Sequence, residues 1–211
     1  MTPALERLLE VSRGPTGQAR PVEFDTARGP LAELGGLLSL RNGFYVCNAG
    51  VQVFRAGDPG VGPELEHWNR ADTWKQTYAT LAEGLFCFGQ DFFGVQFAIA
   101  DQRRVVTFDP ETGIRTDLGD SVEDWAAWLL DDPDTNGCRA FATAWQDTHG
   151  PLEHHQRLIP WQFFVLGGTY DEANLTAKDS ATAMWIRGPI AQTVGLLPEG
   201  AELHLRSYPA N

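Results

Sequence analysis

Residues 85–108 read LFCFGQDFFGVQFAIADQRRVVTF, and this stretch decides the predicted fold. It contains three runs rich in aromatic and β-branched residues, at Leu85–Phe88, Val95–Ile99 and Arg104–Phe108. Turn-forming residues at 89–91 and at Asp101-Gln102 separate the runs. Short runs joined in this way predict an antiparallel β-meander.

Helices and further strands are predicted on the N-terminal side of the meander. Leucines at helical spacing predict a helix over Pro3–Val11 and a second helix that begins after Pro30 and ends at Asn42-Gly43. Aromatic and β-branched residues between Phe44 and Phe54 favour one or two strands. A longer helix is predicted over 64–80.

One more strand and several helices are predicted after the meander. Ile114–Leu118 is a candidate fourth strand. Ser121 begins a helix, because its hydroxyl can accept a backbone N–H and Asp124 lies three residues on. The elements predicted beyond it are a helix, a strand, a helix and a closing strand, at Cys138–Thr148, Gln162–Leu166, Ala191–Leu197 and Ala201–Ser207.

These elements place the chain in the α+β class. We expect an antiparallel sheet of four to six strands with the helices mainly on one side, together with a C-terminal extension. The predicted organisation is an N-terminal helix and linker over residues 1–21, an α+β domain over 22–132, and an extension over 133–211 packed on the same domain.

The charge of the chain restricts its partners. The formal net charge is −12 and the calculated pI is about 4.7. A surface of this kind repels phosphate backbones, so nucleic-acid binding is not expected. It favours association with a basic partner, although an acidic surface that serves solubility alone remains an alternative.

The cysteines and the apolar patterning predict a cytoplasmic protein. Cys47, Cys87 and Cys138 have no spacing typical of a zinc site, and unpaired thiols fit a reducing compartment. The N-terminal residues lack the basic start and apolar run of a signal peptide. No stretch approaches the roughly 18 apolar residues of a membrane span, so no membrane association is expected.

Metal and cofactor binding are not expected either. His149, His154 and His155 do not have the spacing by which a rigid element presents two ligands to one ion. No nucleophile motif and no phosphate-binding glycine loop occurs in the sequence. We therefore predict that the chain is not an enzyme.

A hydrolase that uses a pair of carboxylates is kept as an alternative. Four acids lie at strand ends or turns, namely Asp91, Asp101, Asp109 and Glu111. Acids are common at turns for structural reasons, so their positions alone do not indicate catalysis. The alternative would require such acids to converge in one concave pocket.

The least ordinary local feature is a run of acids without an intervening Lys or Arg, made up of Asp117, Asp120, Glu123, Asp124, Asp131, Asp132 and Asp134. Helix capping accounts for Glu123 and Asp124 only. We predict that this run, with the turns at Asp91 and Asp109, forms a partner-binding face on which Trp128 is an apolar anchor. Trp125 is expected in the core. The alternative is that these acids form a solvated surface that binds no partner.

Four patterns follow one another between Val22 and Leu130. They are a leucine-rich segment ending in Asn-Gly, a Phe-Gly pair followed by an acidic turn and a strand, a strand ending in an Asp-x-x-Thr-Gly turn, and a helix carrying Ser, an aromatic residue and Leu. The matching residues are Leu37–Gly43, Phe88-Gly89 with Asp91, Gly94 and Phe97–Ile99, Val105–Gly113, and Ser121 with Trp125 and Leu129.

In this order the patterns resemble the SUKH superfamily, which includes yeast regulators of cell-wall synthesis and many bacterial immunity proteins. Phe44 stands where the family usually has a second glycine, and residues 131–211 extend beyond the matched part. The resemblance implies a scaffold without catalytic residues that binds other proteins, typically toxins neutralised by an immunity protein in the same cell. The acidic surface fits a basic toxin such as a nuclease.

A regulatory scaffold with a host partner is the second interpretation, and the carboxylate hydrolase is the third. An immunity gene is expected beside the gene of its toxin, so the genomic neighbourhood distinguishes the first two interpretations. The sequence indicates no particular oligomeric state.

Overall fold

A six-stranded antiparallel sheet with its strands in chain order lies at the centre of the structure. The computed structural model describes residues 2–196 of the chain. The strands are β1 (Phe44–Val46), β2 (Val51–Val53), β3 (Leu85–Asp91), β4 (Gln96–Ala100), β5 (Arg104–Phe108) and β6 (Arg115–Gly119). The predicted α+β class and antiparallel meander are confirmed, with six strands formed between residues 44 and 119.

Both faces of this sheet are buried. Neighbouring residues of β4 point to opposite faces, so their contacts show what covers each face. Phe97 contacts the ring of Trp125 on one face, with a centroid distance of 5.6 Å. Gln96 lies on the other face and accepts a 2.8 Å hydrogen bond from the indole N–H of Trp68. A sheet covered on both sides explains why every residue of β4 is buried.

The first face is covered by α1 (Pro3–Val11), α2 (Pro30–Leu40) and α4 (Val122–Asp131). Side chains hold both ends of α1. The carboxylate of Glu123 accepts hydrogen bonds from the free amides of Ala4 and Leu5, and the guanidinium of Arg41 donates to the carbonyl of Leu9. The N-terminal helix is thereby joined to the same core as the meander.

The second face is covered by an irregular aromatic segment, and the predicted helix over 64–80 is wrong as a single element. The chain forms α3 (Leu65–Trp68), followed by 3₁₀ turns at 74–77 and 79–82. Asn69 ends α3, because its side-chain amide donates to the carbonyls of Leu65 and Cys87. The irregular path buries Trp68, Trp74 and Tyr78 together, with the ring of Trp74 in contact with both of the others.

The C-terminal part consists of α5 (Arg139–His149), a two-stranded antiparallel sheet of β7 (Gln156–Pro160) and β8 (Leu175–Asp179), and α6 (Ser180–Val194). The predicted helix over 138–148 is confirmed. The helix predicted at Ala191–Leu197 overlaps only the end of α6, which begins at Ser180 and ends at Val194, and Leu197 lies outside the described residues. No helix among residues 2–196 is long and apolar enough to cross a membrane.

The strand predicted at Gln162–Leu166 is wrong, because the strand lies at 156–160 and residues 164–166 form a 3₁₀ turn. The side chain of Asn174 explains the difference. Its oxygen accepts from the amide of Gln162 and its nitrogen donates to the carbonyl of the same residue, which fixes a loop there. The closing strand predicted at Ala201–Ser207 lies outside the described residues.

Trp125→Ala should lower the free energy of unfolding by about 3–5 kcal/mol, because the fully buried indole packs against Phe88 and Phe97 and its removal leaves a cavity. Trp185→Ala on α6 is the matched control, since that side chain is exposed and its loss should change stability by only about 0.5 kcal/mol. Urea denaturation followed by circular dichroism measures both variants. Equal small losses would contradict the core position of Trp125.

Candidate binding cleft

A cleft of about 450 Å³ opens beside the turns that follow β3 and β5. The C-terminal part forms its opposite wall. Four acids line the cleft, namely Asp91, Asp109, Glu111 and Asp134. Four aromatic residues line it as well, namely Phe93, Phe141, Phe164 and Tyr170.

Asp91 ends β3 and closes the turn to β4. Its Oδ1 accepts hydrogen bonds of 2.9 Å from the amides of both Phe93 and Val95, and its Oδ2 accepts one of 3.5 Å from the thiol of Cys138. Burial raises the pKa of the Asp91 carboxyl to about 6, against the lowering effect of these hydrogen bonds. The Asp91 carboxyl therefore stabilises the turn between β3 and β4, and it also changes its protonation state near pH 6.

Asp109 and Glu111 occupy the turn after β5. The Oδ1 of Asp109 accepts from the amides of Glu111 and Thr112, which closes this turn. Glu111 is only 4% exposed, and its Oε2 accepts a 3.0 Å hydrogen bond from the amide of Val165. Its Oε1 has no hydrogen-bond partner within residues 2–196, and burial raises the pKa of the carboxyl.

Arg187 reaches the cleft from α6 and is 1% exposed. Its Nη1 donates to the carbonyl of Phe93 at 2.6 Å, and its Nη2 donates to the carbonyl of Leu158 at 2.9 Å. Burial lowers the pKa of the guanidinium, while the nearby charges of Glu111 and Asp91 act in the opposite direction. Arg187 thus joins α6 to the β3–β4 turn and to β7.

The aromatic rings form a cluster around Phe93. Its ring centroid lies 4.9 Å from that of Phe141, 5.9 Å from that of Phe164 and 5.1 Å from that of Tyr170. Phe164 and Tyr170 are stacked at 3.9 Å with an interplanar angle of 14°. Tyr170 is 57% exposed, so aromatic surface faces solvent beside buried carboxylates.

The structure brings three of the predicted partner-binding residues together, since Asp91, Asp109 and Asp134 all line the cleft. Asp134 is also ion-paired with Arg139, whose Nε and Nη2 each lie 2.8 Å from its oxygens. This pair offsets part of the charge that Asp134 presents.

The remaining acids of the run lie outside the cleft lining, and most have partners within the chain. Asp117 and Asp120 both form ion pairs with the exposed Arg104. Glu123 caps α1, as described above. Asp124 forms a capping box with Ser121 at the start of α4, as its spacing predicts.

The end of the run is more open to solvent. Asp131 is exposed, and Asp132 accepts a 3.1 Å hydrogen bond from the amide of Thr135. Trp128 is half-buried against the core, with its ring centroid 6.1 Å from that of Phe97. Trp125 is fully buried, in agreement with its predicted place in the core.

Several residues of the cleft were missed by sequence reasoning, namely Phe93, Phe141, Phe164, Tyr170 and Arg187. A usable signal existed only for Arg187, which is a single charge in the apolar stretch 183–191. Glu111 was named only among the turn acids of the hydrolase alternative, and not as a partner-binding residue. The aromatic residues come from separate loops and helices, so no local pattern connects them.

The histidines named above take part in local contacts. His149 stacks on Trp145 with a centroid distance of 4.0 Å, and His154 shares a 2.9 Å hydrogen bond with the hydroxyl of Tyr45. In the part of the chain that the structure describes, no group of three or more His, Cys, Asp or Glu residues could hold a metal ion.

Comparisons with known proteins give little further information about this chain. No protein-family model matches it, and no curated protein matches it. Among solved structures it is similar to the crystal structure of Atu4351 from Agrobacterium tumefaciens, with 14% sequence identity over 73% of each chain and a TM-score of 0.48. These values describe a distant structural likeness.

Asp91→Asn should change how stability depends on pH. The folded-state pKa of Asp91 is about 6, above the value of roughly 3.9 for an unfolded chain, so protonation of this carboxyl stabilises the fold at low pH. That contribution is lost as the pH rises through about 6. The asparagine side chain retains the Oδ1 acceptor but does not titrate in this range.

The stability advantage of the wild type over this variant should therefore be larger at pH 4.5 than at pH 7.5, by on the order of 2 kcal/mol. Urea denaturation at a series of pH values measures the difference, with Asp131→Asn on the exposed end of α4 as the control. A difference that is constant with pH would show that Asp91 does not titrate as described.

Proposed function

We propose that this chain is a non-catalytic protein-binding scaffold that acts as a bacterial immunity protein and neutralises a basic toxin, such as a nuclease. One observation carries the proposal. A cleft on a chain of net charge −12 combines carboxylates with a cluster of aromatic rings, of which Tyr170 is exposed to solvent. Aromatic anchors are enriched at the centres of protein interfaces, and complementary charge speeds the encounter of the partners.

The order of elements is consistent with the proposed SUKH relationship. The helix α2 ends before Asn42-Gly43, the meander follows, and α4 begins with the capping box of Ser121. These are the features on which the resemblance rests, and the family implication is a binding scaffold. We place the protein in the cytoplasm, where the free thiols of Cys47, Cys87 and Cys138 would remain reduced.

One observation favours the hydrolase as a second candidate function. Asp91 and Glu111 line the same cleft, and burial raises the pKa of both carboxyls, as general acids require. However, both oxygens of Asp91 accept hydrogen bonds that close a turn or bind Cys138. This structural use of the carboxyl favours the binding scaffold over the hydrolase.

The identity of the captured partner would distinguish a regulatory scaffold with a host partner from an immunity protein.

The proposal is tested by affinity capture from the native host with the tagged full chain, followed by reconstitution with the purified partner. The expected result is a stoichiometric complex with a basic protein whose gene neighbours that of this chain. Co-expression of this chain should also restore growth to cells that produce the partner. Capture of an acidic housekeeping protein, or a partner whose toxicity is unchanged, would contradict the immunity role.

Reversal of charge at the end of the acidic run should slow association with this partner. The triple variant Asp131→Lys, Asp132→Lys and Asp134→Lys replaces three exposed acids. Because long-range attraction between exposed charges is screened by salt, the loss in association rate should be largest at low ionic strength. The fold should persist, since exposed ion pairs contribute little to stability. Stopped-flow or surface plasmon resonance measures the rate.

The matched control changes the same number of charges elsewhere, with Glu23→Lys, Asp25→Lys and Glu66→Lys. These acids are exposed and lie outside the cleft. If both triple variants slow association equally, the association rate depends only on the net charge of the chain, and the acidic run is not a docking surface.

A further inference from the structure

The cleft contains an acceptor that lacks a donor. Oε1 of Glu111 has no hydrogen-bond partner within residues 2–196, although the residue is 4% exposed. Buried polar atoms in native proteins are nearly always paired, and an unpaired buried carboxylate oxygen is costly. Glu111 lines the cleft, but Oε1 itself is not exposed to solvent, so a bound group with an N–H donor could supply the missing hydrogen bond once the carboxylate turns toward the cleft.

Aromatic faces lie in the same cleft. Phe164 and Tyr170 stack at 3.9 Å, and the ring of Phe93 makes an edge-to-face contact with each of them. The faces of such rings attract cations that lie within about 6 Å of the centroid. Val165, whose amide binds Oε2 of Glu111, is the residue next to Phe164, so the carboxylate and the ring are joined through one short segment.

The charges of the cleft favour a cation over an anion. Asp91, Asp109 and Glu111 line it, and none of them forms a salt bridge within residues 2–196. The positive charge of Arg187 offsets one of them, but its two Nη atoms are already bound to backbone carbonyls. The cleft therefore retains a negative balance.

We infer that this cleft binds an arginine side chain of the partner protein, with the guanidinium between the Phe164–Tyr170 pair and the carboxylate of Glu111. Arginine fits better than lysine, because its planar group stacks on aromatic faces and donates to a carboxylate at the same time. The cleft of about 450 Å³ has the size of a small-ligand site. The inference deepens the proposed function and rests on it.

A small-molecule probe tests the site without the partner. N-acetyl-L-arginine methylamide should cause saturable chemical-shift changes at the amides of Val165 and Tyr170 in ¹H–¹⁵N spectra at low salt. The citrulline analogue has nearly the same shape without the charge, and it should cause changes at least tenfold weaker. Equal binding of the two probes would overturn the inference.

Three variants identify the groups that bind. Glu111→Gln removes the charge while its amide oxygen can still accept from Val165, and Tyr170→Leu removes an exposed aromatic face. Each should weaken binding of the arginine probe about tenfold or more. The control Glu153→Gln changes an exposed acid outside the cleft and should leave binding unchanged. Circular dichroism verifies that each variant is folded.

The same variants separate this inference from the proposed function. Glu111→Gln and Tyr170→Leu should weaken the partner complex about tenfold, whereas Glu153→Gln should not. If the partner binds both cleft variants as tightly as the wild type, the cleft is not the arginine site, although the scaffold role stands. If the arginine probe binds in a Glu111-dependent way but the captured protein is not a toxin, the site stands and the immunity role fails.

Discussion

The buried guanidinium of Arg187 joins three parts of this molecule that are far apart in the sequence. From α6 it donates to the carbonyl of Phe93 in the β3–β4 turn and to that of Leu158 in β7. A buried charge of this kind is tolerated only when it is hydrogen-bonded and faces opposite charges, and Glu111 and Asp91 provide those charges. The cleft exists in its present form because these bonds hold the C-terminal part against the meander.

The distribution of charge follows from the same packing. The acidic run looks uniform along the chain, but Arg104 pairs with two of its members and offsets one of their two charges, and Arg139 pairs with a third. Two others, Glu123 and Asp124, cap helices. Of the predicted partner-binding acids, those without such partners lie at the exposed end of α4 and in the cleft, and burial in the cleft strengthens each interaction.

Sequence reasoning identified most elements of the fold but only part of the site. The boundaries of α1 and the strands of the meander follow from local periodicity and turn residues, which act over a few positions. The region 64–80 does not form the single helix that its spacing predicts, because the side chains of Trp68, Trp74 and Tyr78 contact Gln96 and Phe108 of distant strands. In the cleft, Asp91 and Asp109 could be recognised from the sequence as acids that form turns. No pattern in the sequence indicated that Oε1 of Glu111 would be buried without a hydrogen-bond donor within residues 2–196.

Four features could be predicted from the amino-acid sequence alone, namely the α+β class, the order of the meander, the capping of α4 by Ser121 and the strong negative charge. Each of these depends on neighbouring residues or on simple composition. That Glu111, Tyr170 and Arg187 share one cleft is apparent only from the folded chain, since they lie on separate elements. Their encounter depends on long-range packing and on the desolvation that accompanies it, and neither has a signature in local sequence periodicity.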